Sequence, residues 1–419
     1  MKPQSAEFWS REALEKELYR VFDICHGCRL CFHLCPSFEY LFEAIDSKEE
    51  EPSNLTREDF RQVVDLCYQC KLCYNVCPYT PPHRWQIDYP RLMLRATAIN
   101  AKGRLRLQDR ALSNTDRVGS LSGMAAPIVN RVNQMGLARS LLQATMGIHK
   151  ERKLPRYHRQ TFARWFKKRP ASAVQPQGGA AKAVLFYTCY VNYNDPEVGK
   201  ATVAVLEKNG VEVQCPRQRC CGMPYLDGGD IKAATRNARF NVRSMLPYVE
   251  QGYSIVVPGP TCSYTIKQEY PLLLDTDEAR RVAEATYDVC EFLMKLKREG
   301  QLSTDFQSSP GKVAYHLPCH LRAQNIGYQS MKLMSLIPDT EVELIEKCAG
   351  MDGTWGLKKE YFQLSFKVAE PLLKAIREAE PNTVVSDCPL AALQIEQGLG
   401  MAPKHPMEVL AAAYGIEPQ

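Results

Sequence analysis

Long hydrophobic runs are missing from this chain. The longest, Ala183–Tyr187 and Ile255–Pro258, fall far short of the ~20 apolar residues a membrane span needs. Met1–Arg11 holds no apolar h-region, so no secretory signal is expected. No G-x-G-x-x-G follows a strand-like run, and Walker and flavin motifs are absent. That argues against a bound nucleotide or dinucleotide. An excess of either charge is also lacking. Lys and Arg total 53 against 47 Asp and Glu, and the net +6 is too mild to name a nucleic-acid partner. With 45% hydrophobic and 24% charged residues, wholesale disorder is excluded. A length of 419 residues suits two or three domains. What the chain has in excess is cysteine, with 17.

A long chain without an export signal does not need disulfide staples, and these thiols are clustered. The pattern points to metal ligation in a reducing cytoplasm. Eight cysteines form two matching runs, Cys25-x2-Cys28-x2-Cys31-x3-Cys35-Pro36 and Cys67-x2-Cys70-x2-Cys73-x3-Cys77-Pro78. This is the spacing of two-cluster bacterial ferredoxins, in which the fourth cysteine of each run ligates the other cluster. One [4Fe–4S] cluster is therefore expected on Cys25, Cys28, Cys31 and Cys77, and a second on Cys67, Cys70, Cys73 and Cys35. Zinc would prefer paired C-x2-C knuckles. Pro36 and Pro78 help turn the chain away after the last ligand. Thr56-x-x-Asp59 is a capping-box signal for a helix that delivers Cys67. Arg29 and Lys71 flank ligands and would favour the more negative reduced state; solvated surface is their commoner role. His26 and His33 read as hydrogen-bonding or surface residues.

The rest of the chain repeats itself. Lys182–Thr188 is a strand-like run ending at Cys189. A helix is expected over Pro196–Asn209, then a short strand at Val211–Val213, then Cys220-Cys221-Gly222. Ser254–Val257 leads to Cys262. The same order returns with Lys312–His316 before Cys319, Val342–Ile345 before Cys348, a helix from about Lys358 to Ala379, and Thr383–Ser386 before Cys388. Cys319 lies 130 residues after Cys189, Cys348 128 after Cys220, and Cys388 126 after Cys262. Such alternation predicts duplicated α/β halves with largely parallel sheets, and cysteines just past the strands sit where such sheets bind ligands. Cys215 and Cys290 match no motif and read as small buried hydrophobes.

Between the two regions, residues 131–169 carry eleven Lys and Arg against Glu151 alone, a local charge of +10. Apolar residues interleave, from Val132 and Leu141 to Phe162, Trp165 and Phe166. Such a segment reads either as a binder of an anionic membrane or acidic partner, or as the solvated face of packed linker helices. Val174–Ala181 reads as a linker. The expected organisation is a two-cluster ferredoxin domain over 1–110, basic connecting helices and linker over 111–181, and α/β repeats over 182–305 and 306–419. The class is α+β multidomain, with a helical ferredoxin part followed by duplicated α/β domains.

At Cys220-Cys221-Gly222 the repeat resembles the cysteine-rich CCG domain of heterodisulfide reductases and respiratory dehydrogenase subunits. With the ferredoxin part it resembles the family of the C subunit of anaerobic glycerol-3-phosphate dehydrogenase. Leu112–Asp116, Ala126–Asn130, Leu154–Tyr157, Val191–Asn194 and Tyr315–His320 carry the likeness further. The family's pattern is a cysteine, a Cys–Cys pair and a C-x-x-C. The first repeat keeps Cys189, Cys220, Cys221 and Cys262, but has Thr265 at the last position; four thiolates could hold a third iron–sulfur cluster. The second keeps Cys319, Cys348 and Cys388, with Ala349 and Ala391 in the other positions. A metal there would need His316, His320, Asp387 or an outside ligand, or the site is a vestige.

The resemblance implies an iron–sulfur electron-transfer subunit. It would pass electrons between a flavoprotein dehydrogenase, acting on glycerol-3-phosphate or a hydroxy acid, and the respiratory chain. Catalysis would sit on the partner. Its place would be cytoplasmic or peripheral on the inner face of the cell membrane. Two other roles use the same residues: supply of electrons to a peroxide-reducing di-iron protein of the rubrerythrin type, or a self-contained disulfide or quinone reductase at the CCG site. The incomplete ligand sets weigh against heterodisulfide reduction.

Overall fold

The computed structural model describes residues 3–102, 105, 107–170 and 181–416. All but the last residue of the expected linker Val174–Ala181 lies outside the described residues. The N-terminal part is helical. Helices Arg11–Cys28, Pro36–Asp46, Arg57–Leu66 and Tyr89–Ala101 surround a core that includes Phe22, Phe38, Phe42 and Met93. The helix at Arg57 starts as its sequence signal requires. Thr56 accepts from the Asp59 amide, and Asp59 accepts in return from the Thr56 amide at 2.6 Å. Lys48 also pairs with Asp59 and, with these bonds, holds its carboxyl down at about 2 against the cost of burial.

The C-terminal part holds two parallel sheets. In the first, β1 (Lys182–Leu185), β2 (Glu212–Gln214), β3 (Ser254–Val257) and β4 (Thr286–Asp288) are ordered β2-β1-β3-β4. In the second, β5 (Lys312–His316), β6 (Glu341–Ile345) and β7 (Thr383–Ser386) are ordered β6-β5-β7. The three strands of the second sheet match β1–β3 of the first. In place of a fourth strand there is one parallel bridge, Val385 to Lys404.

Residue parity explains how the repeats meet. Side chains alternate along a strand. Ala183, Leu185 and Val256 of the first sheet and Val313, Tyr315 and Val385 of the second all enter one shared core. Their neighbours face away. Val184, Ile255 and Val257 pack with residues of the helix Ile231–Val249, and Ala314 and Val384 with those of Phe362–Ala379. Residues of the helices Pro196–Lys208 and Pro406–Ala413 join the shared core, so the chain's last helix packs against the first repeat. The helix expected from Lys358 begins as an α-helix only at Phe362; Lys359–Tyr361 form a 3-10 turn before it, and the Lys359 amide donates to the Gly147 carbonyl at 2.8 Å.

The connecting region departs from the amphipathic picture. Arg139 is buried and donates to the carbonyls of His149, Lys150 and Arg152. Arg152 is only 2% exposed, lies over the rings of Phe362 and Phe366, and donates to Gln394 and Ser365. Phe162, Trp165 and Phe166 pack against the shared core. These residues tie the segment down and are not free for a membrane. The exposed apolar face is the start of this segment together with the residues before it: of eleven exposed large hydrophobics among the described residues, eight fall between Val118 and Leu141, and Leu137 is 87% exposed.

Candidate metal centres and their surroundings

Cys25 and Cys28 occupy the last turn of the first helix, which Arg29 ends in a left-handed conformation at φ 53°. Cys31 follows in the turn. Cys77 arrives from the second motif, after the short helix Leu72–Val76. These four thiols face one cavity of about 30 Å³, walled by Phe38, Phe42 and Ile87. Burial and mutual repulsion raise the Cys31 thiol to about 11. A cation would relieve both causes, since thiolates are the species that bind metal.

Cys35 stands at the start of the helix Pro36–Asp46 and Cys67 at the end of Arg57–Leu66. Gln69 and Lys71 take positive φ, 54° and 66°, which curls the chain between Cys67, Cys70 and Cys73. Burial, and then the neighbouring Cys67, lift the Cys35 thiol to about 12. Cys73 feels Cys70, Cys67 and Cys35, and also Cys31 of the first group. Each motif's fourth cysteine is thus brought to the other motif's three. Lys71 is not solvated surface. It is 2% exposed, and its field reaches Cys67, Asp227, Asp352 and Glu269. Arg29 is half-exposed and pairs with Asp46.

In the first repeat, Cys189 begins a short helix after β1, Cys220 and Cys221 follow β2, and Cys262 lies in the helix Pro260–Tyr264 after β3. Their thiols lie together in the order Cys189–Cys220–Cys221–Cys262, and their mutual influence and burial shift all four upward. Gly222 takes φ +103°, with the Ala234 backbone 3.4 Å from where a Cβ would sit. A shell of polar groups fixes the backbone. Asp116 accepts from the Cys220 amide at 2.7 Å, Asn237 donates to the Cys220 carbonyl at 3.2 Å, and Tyr270 donates to the Cys221 carbonyl at 3.0 Å. Sequence reasoning missed these residues. Only Asp116 carries a signal, as the end of a segment of family likeness. The thiols form one wall of a cavity of about 410 Å³. The opposite wall comes from the connecting helices and includes Val118, Val129, Leu142 and Met146.

In the second repeat, Cys319, Cys348 and Cys388 follow β5, β6 and β7 and line a cavity of about 50 Å³ with Asp352, Ala349 and Ala391. The fourth ligands expected from sequence are committed elsewhere. His316 lies 3.0 Å from Ser386 Oγ and 3.2 Å from the Lys347 carbonyl. His320 lies 2.9 Å from Thr261 Oγ1 and 3.0 Å from the Gln69 carbonyl. Burial keeps both rings neutral, at about 4. Asp387 accepts from Tyr315 and Ser330, each at 2.7 Å, and lies 3.9 Å from Cys290 Sγ. Cys290 is fully buried and Cys215 half-buried.

The donor sets suit iron–sulfur clusters. Thiolates are their usual ligands, and the N–H donors aimed at sulfur, Gln69 Nε2 to Cys67 at 3.5 Å and Gly350 N to Cys348 at 3.3 Å, are contacts that tune such centres.

Comparison with known proteins agrees with this arrangement. The family described as the citrate utilization protein B Fer4-like domain matches residues 18–102, and the cysteine-rich domain family matches 183–267 and again 313–396. Lactate utilization protein A of Bacillus pumilus (strain SAFR-032) is 31% identical over 218 residues, 49% of this chain and 87% of that protein. The protein of the same name from Geobacillus thermodenitrificans (strain NG80-2) is 30% identical over 219 residues, 49% of this chain and 87% of its own. The C subunit of anaerobic glycerol-3-phosphate dehydrogenase from Escherichia coli (strain K12) is 33% identical over 325 residues, covering 77% of this chain and 81% of its own length. A helical ferredoxin-like part joined to two cysteine-rich repeats, and that degree of identity across both, place the chain in the family of the anaerobic glycerol-3-phosphate dehydrogenase C subunit.

Proposed function

We propose that the chain is an iron–sulfur electron-transfer subunit linking a flavoprotein dehydrogenase of glycerol-3-phosphate or a hydroxy acid to the respiratory chain. Bound clusters would supply one-electron carriers. The polypeptide holds the ligands, excludes water and sets the separations. The observation that carries the reading is continuity. Cys73 of the second ferredoxin group feels Cys31 of the first. Cys35 and Cys70 pack in one cluster with Cys319 and Cys348 around Tyr68 and Trp355. Cys388 lines both the small cavity and the large one that holds the first repeat's thiols. A row of thiol groups running through the molecule suits transport. The names of the relatives, a dehydrogenase subunit and lactate utilization proteins, fit a flavoprotein partner. To test it, the tagged chain is purified anaerobically from its own host and the partner identified. A flavin-bearing dehydrogenase that reduces the clusters when given its hydroxy substrate is expected; a di-iron peroxidase in its place would refute the reading.

The large cavity favours a second reading for the far end of the row, reduction of a quinone at the first repeat. About 410 Å³ is within the range of small-molecule sites, and its wall of connecting helices carries the exposed apolar face from Val118 to Leu141. That face, with exposed Arg117 and Arg131 on it, suits an anionic membrane surface. No helix among the described residues is long and apolar enough to cross a membrane. A short-chain quinone that perturbs the first-repeat signal would support this reading, and indifference to it would remove it.

A further inference from the structure

We propose that the second repeat holds an iron–sulfur cluster whose fourth ligand is Asp352, and that this centre is the relay between the second ferredoxin group and the first repeat. The inference rests on the electron-transfer reading and adds to it a ligand and a position.

Three thiolates leave one corner of a four-iron cluster without a protein ligand. Ala349 and Ala391, which line the same cavity, offer only methyl groups. Asp352 faces that cavity too. A carboxylate oxygen of Asp352, Cys319 Sγ and a ring nitrogen of His320 all lie within 4.8 Å of one another. His320 is the weaker candidate of the two. Its Nε2 must donate to the Gln69 carbonyl, which accepts only, and its Nδ1 is then the acceptor for Thr261. Binding metal would cost one of those buried bonds. Asp352 is 3.9 Å from that same Nε2, but a neutral imidazole offers it no charge. Asp352 is itself buried, its side chain 7% exposed, at the edge of the three thiols.

The loop that carries Asp352 is built to hold it in place. Gly350 turns with φ +63°, and a Cβ there would meet the Ser365 carbonyl oxygen at 2.2 Å. The Trp355 amide donates to the Asp352 carbonyl at 3.0 Å. The Trp355 ring is clamped between Tyr68 and Tyr361, and its Nε1 donates to the Asp65 carbonyl at 3.0 Å. The loop is therefore fastened to the segment that leads into Cys67. On this side Cys348 Sγ lies 3.5 Å from Tyr68 OH. On the other, Cys388 and Thr261 line the cavity of the first repeat. A centre here would take one electron from the ferredoxin side and give one up toward the first repeat, with no proton or bond exchanged.

The test uses the full chain, purified anaerobically and reconstituted with iron and sulfide, and compares D352N, D352C and C319S by iron content, Mössbauer and EPR spectra. C319S should lose about four irons per chain and D352N about one, with a three-iron signal appearing in the oxidised D352N protein. D352C should keep the parent's iron content and change the Mössbauer parameters of one iron site. Intact ferredoxin signals in each variant show that it has folded. D352N and D352C spectra identical to the parent's would overturn the ligand assignment. Unchanged iron in C319S, or zinc at the site, would overturn the cluster. Iron missing from the ferredoxin groups of the parent as well would defeat the electron-transfer reading itself, and the relay with it.

Discussion

Arg91 joins the ferredoxin helices to the first repeat, and its loss should be measurable as opening of that junction. It lies in the helix Tyr89–Ala101 with its side chain 15% exposed, and it approaches Glu269 through Nη2 at 3.3 Å and Nε at 3.4 Å. Glu269 is 0% exposed. Arg91→Met leaves that carboxylate buried without its partner, and breaking a buried pair costs about 3–5 kcal/mol. Lys71, whose field also reaches Glu269, should keep the cost near the lower end. At 1.4 kcal/mol per tenfold, about 3 kcal/mol is an opening roughly a hundredfold more frequent. Amide exchange of the helices around Arg91 and Glu269 reads this locally, without requiring two-state unfolding of a multidomain metalloprotein. Burial pushes the Glu269 carboxyl up, but Arg91 and Lys71 more than offset it and hold it below the usual range. Its contribution is then present above the unfolded carboxyl pKa and lost as pH falls through the lower folded value, so wild type and variant should converge in acid. Replacing both partners with Met should recover part of the loss, because no charge is then stranded. Unchanged exchange in Arg91→Met, or a double variant worse than either single one, would refute the argument.

Three other outcomes follow from the site geometry. Cys35→Ser should damage the cluster of the second motif and spare that of the first; EPR of the reduced protein decides it, and damage confined to the first motif would overturn crossed ligation. Cys220→Ser should remove the first-repeat centre while both ferredoxin signals persist, and a Mössbauer spectrum equal to the parent's would place no cluster there. Serines at Ile128, Leu137 and Leu141 should weaken binding to anionic vesicles in flotation assays by removing apolar insertion, while charge reversal at exposed Arg131 and Lys150 should weaken it through electrostatics. Vesicle binding indifferent to both sets would rule out this face. Arg152 is excluded from such a test, because reversing a buried charge would damage the fold instead.

The legible parts of this chain are those in which chemistry depends on short spacing. The two C-x2-C-x2-C-x3-C-P runs, the Thr56–Asp59 box and the cysteines behind each strand are local patterns, and the structure puts them on the elements they imply. What escaped is tertiary. Lys71 looks like any lysine beside a turn until Asp227, Glu269 and Asp352 are brought around it from three other parts of the chain. Arg139 and Arg152 counted toward a basic surface because sequence cannot show which guanidinium finds carbonyls and aromatic rings inside. His316, His320 and Asp387 have the right donor atoms and the right neighbours in sequence, but hydrogen bonds from other strands and loops claim them. Asp352 lies between Gly350 and Gly353 in a turn that matches no metal motif, and only the fold brings it to Cys319.

The two repeats share an ancestral plan but differ in what covers their strand ends, and that difference bears on direction. The second repeat's cavity is closed by the ferredoxin residues Tyr68 and Leu72. The first repeat's cavity is closed by the connecting helices, through aliphatic side chains that continue into an exposed apolar face. A centre enclosed on both sides by other thiol groups can only exchange electrons with them. A centre at the edge of a large apolar cavity can meet a mobile acceptor. The heavier ligand loss, two cysteine positions (Ala349 and Ala391) against one (Thr265), falls on the covered site, where on the proposed reading a carboxylate stands in and nothing but an electron passes. Four thiolates remain at the site that faces the cavity, where exposure to a mobile molecule would make a weakly held iron costly.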